Sequence, residues 1–179
     1  MNMNETIDQC AQRELREETG VSDAYMEQFH VFSGITRDPR ERVVSCAFYA
    51  LVKIRDVQGG DDAASAQWFP LDQVPPLAFD HDHILRLAMK TLKERIHFEP
   101  IGFELLPEEF TMTQLLNLYE SILEVHFDRR NFAKKFLTLG LIEQADFAEK
   151  ENSRRKVIYY RFNKDKYDEF KKKGFRLEF

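Results

Sequence analysis

Residues 5–21 read ETIDQCAQRELREETGV, and the first half of the chain is decided by this stretch. Ile7, Ala11 and Leu15 recur every four residues, which predicts a helix over 5–19 with one apolar stripe, stopped by Gly20. At about 100° per residue the stripe covers an arc of about 80°. Glu18 falls inside that arc, Glu14 just beside it and Glu17 on its rim. Carboxylates set beside an apolar stripe suffer desolvation unless a positive charge stands among them. A hard divalent ion, Mg²⁺ or Mn²⁺, meets that need, because it takes oxygen ligands and carboxylates one helical turn apart supply them. Glu14, Glu17 and Glu18 are therefore the candidate metal ligands. Arg13 is read as their orienting partner, and Glu5 as a supporting hydrogen-bond acceptor.

Outward from this helix, residues 28–35 and 43–54 are rich in β-branched and aromatic side chains and predict two strands around the polar turn TRDPRER. VQGGDDAAS reads as a loop, and AQWFPL as a short strand ended by Pro70. Asp80 is placed to cap a helix over 81–96, with Ile84, Leu85, Ala88 and Leu92 turned inward. His81 and His83 are two apart, so a helix points them in different directions, and neither is read as a ligand. HFEPIGF, with Pro100 and Gly102, marks the expected boundary between domains 1–99 and 100–179.

Beyond it, Thr111 and Gln114 form a capping box, starting a helix that carries Leu115, Leu116, Tyr119 and Ile122. Asp128 caps a second helix, RRNFAKKFLTL, which stops at Gly140 with Phe132, Phe136 and Leu139 on its buried side. Strands follow at Leu141–Gln144 and Val157–Phe162 around a charged loop, ADFAEKENSRRK. A short helix with Tyr167 and Phe170 comes last. The Lys171–Lys173 run reads as its solvated end.

Charge divides along the same line. The chain carries a net −5, but residues 1–100 hold −6 and residues 127–176 hold +7. An acidic front and a basic back imply two tasks. No apolar run approaches the roughly 18 residues of a membrane span, and no signal segment opens the chain. Cys10 and Cys46 show no metal or redox spacing and read as reduced thiols of a cytoplasmic protein.

Glu5, Arg13-Glu14-Leu15, Glu17-Glu18 and Gly20-Val21 together resemble the Nudix box of pyrophosphate-cleaving enzymes, a pattern that chance produces on the order of once in 10⁸ start points. RDPRERVVS, WFPL and LAFDHDHIL resemble later parts of Nudix proteins fused to a winged helix. FDRRNFAKKFLTLGLIE is similar to the DNA-binding part of the NrtR-type transcriptional regulators, relatives of ADP-ribose pyrophosphatases. The resemblance covers essentially the whole chain. It implies an α/β (α+β) protein: a partial Nudix α/β/α sandwich followed by a winged helix-turn-helix domain. It also implies Glu14, Glu17, Glu18 and Arg13 as the catalytic set, and a metal that bridges to phosphate oxygens. The family's box begins with a Gly six residues before the first Glu, whereas four residues precede Glu5 here. A Nudix domain lacking its N-terminal strands, with unpaired sheet edges that favour self-association, is therefore expected.

In the basic half, Arg129, Arg130, Asn131, Lys134 and Lys135 surround the Phe132/Phe136 stripe of a candidate recognition helix, and Arg154, Arg155 and Lys156 sit at the wing. Arg and Asn read base edges; Lys meets phosphates. The leading expectation is a homodimeric regulator that binds double-stranded DNA and senses an ADP-ribose-like nucleotide sugar. The alternative is a Mg²⁺-dependent Nudix hydrolase that cleaves a nucleoside diphosphate derivative. A third is a module whose basic domain meets another protein.

Overall fold

The computed structural model describes residues 1–22, 24–54, 66–149 and 156–174. The chain forms two compact units, Met1–Thr91 and Leu92–Phe179. The division falls inside one helix, so the Pro100–Gly102 link lies within the second unit.

In the first unit, helix α1 spans Ile7–Thr19. It starts two residues later than the apolar stripe suggests, because Thr6 caps it. The Thr6 hydroxyl accepts from the Gln9 amide at 3.2 Å, and the Gln9 side chain accepts from the Thr6 amide at 2.8 Å. Gly20, at φ +72°, closes the helix in the left-handed conformation that glycine adopts without strain. Strands β1 (Tyr25–Phe32) and β2 (Ser45–Leu51) pair antiparallel, with Tyr25 opposite Leu51 and Phe32 opposite Ser45. β1 begins earlier than expected, since Tyr25 and Met26 find partners on β2, and it ends before Ser33-Gly34. A bulge lies between Gln28 and His30.

Two expectations fail here. AQWFPL is not a strand: residues 66–70 have no regular structure and Leu71–Gln73 make one 3₁₀ turn. Pro70 removes a ladder donor, and among the described residues this sheet has two strands. Helix α2 spans His81–Ile96 as predicted, but the Asp80 carboxylate grips Arg37 instead of the helix end, with 2.9 and 3.0 Å hydrogen bonds. The VQGGDDAAS loop lies outside the described residues.

In the second unit, α3 (Met112–Leu123) opens on the Thr111/Gln114 capping box and α4 (Arg129–Leu139) on Asp128, whose carboxylate accepts from the Asn131 amide at 2.8 Å. The turn between them passes through Glu124 at φ +56°, a left-handed conformation that is costly for a side-chain residue. Lys93 holds the Glu124 carboxylate there at 2.7 Å. Strands β3 (Phe110–Thr111), β4 (Ile142–Glu149) and β5 (Lys156–Phe162) form an antiparallel sheet in the order β3-β5-β4. β3 is too short to leave a sequence pattern. β4 runs further than predicted, through a register shift between Gln144 and Phe147 that carries its pairing across polar residues. Helix α5 (Lys164–Lys172) is capped by Asn163.

The buried side chains concentrate in this unit. Tyr119 packs edge to face on Phe132 and Phe136 at 5.5 and 5.3 Å, those two rings lie tilted 4.8 Å apart, and Phe103 stacks on Phe162 at 4.1 Å. In the first unit, among the described residues, Val21 and Phe32 are the buried apolar side chains. Phe136 is wholly enclosed. Replacing it with Ala should destabilise the second unit by about 3–5 kcal/mol, whereas Asp128→Ala should cost only about 1 kcal/mol through the lost cap. Urea denaturation followed by circular dichroism measures both. Equal costs would mean that the aromatic cluster is not what orders α4.

Candidate functional site

Two features carry chemistry, one in each unit. The first is a cleft of about 670 Å³ between α1 and the β1–β2 hairpin. Ile7, Ala11 and Leu15 form one wall; Met26, Phe48 and Ala50 form the other. Glu14 and Glu18, one turn apart, both line it, and Glu17 does not. Cys10 and Cys46 line it from opposite sides, on α1 and β2.

Arg13 organises the acids. Its guanidinium reaches Glu5 at 2.9 Å, Glu14 at 2.8 Å and Glu17 at 2.7 Å. Its pairing with Glu5 is bidentate, since Nε also donates to that carboxylate at 3.0 Å. Hydrogen bonds from Arg13, then from the Asn2 backbone, hold the Glu5 carboxyl down to about 2. Hydrogen bonds to Glu5 first, then to Glu17 and Glu14, raise the Arg13 pKa. The tightest acid partner of Arg13 is thus Glu5, which is the most enclosed of the three acids it contacts.

Nudix proteins generally use a divalent cation. Among the described residues no three His, Cys, Asp or Glu side chains gather as a metal-holding group. Glu14 and Glu17 both pair with Arg13, and of the three acids Glu14 and Glu18 line the cleft while Glu17 does not. Their carboxylate oxygens are hard donors of the kind that Mg²⁺ or Mn²⁺ takes, so the donor chemistry fits such an ion.

The second feature is α4. Phe132 and Phe136 face inward, while Arg129, Arg130, Asn131 and Lys134 are exposed. Lys135 is half-buried and engaged, nearer the Phe side than the outward face. Leu139 is half-buried rather than buried, and Leu137 is exposed instead. Arg154 and Arg155 lie outside the described residues, and Lys156 enters as the first residue of β5.

An NrtR DNA-binding winged helix domain model matches residues 102–162, and a NUDIX domain model matches residues 1–88. The ADPR responsive transcriptional repressor NtrR of Acinetobacter baylyi is 30% identical over 171 residues, which cover 94% of this chain and 68% of the relative. The chain belongs to the NrtR family of Nudix and winged-helix proteins. The crystal structure of Shewanella oneidensis NrtR matches this NrtR-family chain with a TM-score of 0.76 at 25% identity, over 91% of this chain and 76% of that one. An ADP-ribose pyrophosphatase of Methanocaldococcus jannaschii is 38% identical over 86 residues, 48% of this chain and 51% of the relative.

Sequence reasoning missed Arg37, whose side chain is almost wholly enclosed and donates to Asp80 and to the Ser45 hydroxyl. The hydrogen bond to Asp80 raises the pKa of Arg37, and the same bond lowers that of Asp80. Ser45 sits between Val44 and Cys46, both of which line the cleft, so this NrtR-family chain braces that wall from behind. The Glu27 carboxylate, accepting from Tyr25 and Tyr49 at 2.8 and 2.7 Å, was likewise invisible before the strands were paired.

The Glu5–Arg13 pair makes an acid-range prediction. A carboxyl depressed from 4.5 to about 2 contributes stability above the ordinary value and loses it as pH falls towards the folded one. The stability gap between the natural chain and Glu5→Gln should be constant above pH 4.5 and close as pH approaches 2. Thermal denaturation across pH reads it. An equal gap at about pH 6 and about pH 2 would show that the pair is not the source.

Proposed function

We propose that this chain is an ADP-ribose-responsive, DNA-binding repressor, with a nucleotide-sugar cleft in residues 1–99 and a winged-helix reader in residues 100–179. The observation that carries this is α4: a capped helix after a helix and turn, backed by two buried Phe, with Arg130, Asn131 and Lys134 outward. In a major groove such a helix lets Arg and Asn reach base edges while Lys neutralises phosphate. Arg129 is assigned to the DNA backbone beside it and Lys135 to the margin; Arg154, Arg155 and Lys156 are assigned to backbone or minor-groove contacts from the sequence alone. The relative in Acinetobacter baylyi is named for its response to ADPR, which supports the choice of effector.

In the cleft, Glu14 and Glu18 would hold a Mg²⁺ or Mn²⁺ ion, with Glu17 released from Arg13 as a third ligand. When bound, such an ion supplies the positive charge that a diphosphate needs beside carboxylates. Arg13 keeps the acids in register, and the Phe48–Met26 wall offers apolar surface to a base or sugar. Binding there changes the affinity for DNA through a coupling free energy between the two sites. A homodimer in the cytoplasm completes the reading, each copy meeting one half-site.

A second reading, a metal-dependent Nudix hydrolase, is favoured by the two carboxylates lining the cleft and by the pyrophosphatase relative. One paired experiment separates them. DNA binding is titrated at about 50 and 200 mM salt, with and without ADP-ribose, beside a Mg²⁺-dependent turnover assay. A repressor should bind DNA with steep salt dependence, and ADP-ribose should shift that affinity by about 5- to 150-fold. Lys134→Ala should weaken binding on all sequences and reduce the salt slope by about one. Glu18→Gln should remove the ADP-ribose effect and leave DNA binding intact. Turnover without salt-sensitive DNA binding would replace the first reading with the second.

A further inference from the structure

The outward face of α4 is not uniformly polar. Leu137 is 45% exposed, on a helix whose other large apolar side chains turn inward or stay half-buried. A single exposed leucine is ordinary on a protein surface. Its position is what matters. Seven residues after Arg130, it lies only about 20° around the helix from it, and about 60° from Lys134. Arg130, Lys134 and Leu137 therefore form one stripe at i, i+4 and i+7. Phe132 and Phe136 point about 120° or more away from that stripe on average.

The helix is not free to roll Leu137 inward. Asp128 fixes its first turn, and Gly140 fixes its last, its amide donating to the Leu137 carbonyl at 3.1 Å. Between them Phe132 and Phe136 are locked against Tyr119. α4 holds no acidic residue, so the charges it sets along the stripe of Leu137 are those of Arg130 and Lys134. Such a surface suits a polyanion that also presents an apolar group at its edge. In a duplex that group is the C5 methyl of thymine, which projects into the major groove.

We propose that Leu137 is a specificity-determining residue, contacting a thymine methyl in the base sequence that α4 reads. This rests on the DNA-binding reading of α4 and names one position of its preference. Arg130 and Lys134 bring the helix to the groove; Leu137 then distinguishes thymine from a base without that methyl.

The test starts with the full chain and a random duplex pool, from which bound sequences are selected. Each thymine of a selected duplex is then replaced singly by deoxyuridine, which removes only the methyl. For the natural protein one replacement should weaken binding by about fourfold, the worth of one buried methyl-sized group. Leu137→Ala should bind the thymine duplex about fourfold more weakly and should not respond to that replacement. Leu137→Met should keep most of the response, since its side chain fills similar space. Lys134→Gln should lower the salt slope yet keep the deoxyuridine penalty. Leu137 is half exposed, so the Ala variant is expected to melt as the natural chain does. Selection of a sequence with no methyl-sensitive position would overturn this proposal alone, as would an undiminished penalty in Leu137→Ala. Failure to select any sequence over random DNA would overturn the DNA-binding reading with it.

Discussion

Arg13 stands among acids that would otherwise repel one another, and the chemistry of the first unit depends on it. Two of its partners, Glu14 and Glu17, lie on its own helix, and Glu5 lies just ahead of the cap. The planar fork of a guanidinium can serve several carboxylates at once, which an ammonium does less well. One side chain thus aligns α1 and ties the residues before Thr6 to the helix, while Glu14, which it also holds, and Glu18 line the cleft. Glu17, also paired with it, does not.

A different constraint orders the second unit. Aromatic rings from α3, α4 and the segment before β3 interlock, and caps at both ends fix the length of α4. Packing of this kind tolerates little volume change, so the angular register of the outward side chains is set by the inward ones. The left-handed Glu124, held by Lys93, settles the turn that brings α4 onto α3. The acidic unit relies on ion pairs around a sparse core, and the basic unit on buried rings.

Local signals were readable in advance, and long-range ones were not. The spacing of Ile7, Ala11 and Leu15, the Thr111/Gln114 box, and the Asp128 and Gly140 caps act within a few residues, so they appear directly in the sequence. The placement of Glu14 and Glu18 along one wall follows from helical geometry alone. Arg37 and Asp80 are far apart in sequence, and no periodicity joins them. Asp80 looked like a cap because its local context suits one; a tertiary partner claimed its carboxylate. AQWFPL looked like a strand because aromatic residues favour sheets, yet a strand also needs an edge to pair with. Leu139, expected on the buried side, is only half-buried because it lies in the last turn, past the Phe132/Phe136 pair that faces Tyr119.

The brevity of α4 has a consequence for genome searching. From Arg130 to Leu137 the outward stripe advances only about 10 Å at the helical rise, which is the length of about three base-pair steps. A word that short recurs by chance every few dozen positions in any long duplex. This helix alone cannot single out an address, so the rest of the information must be read outside it.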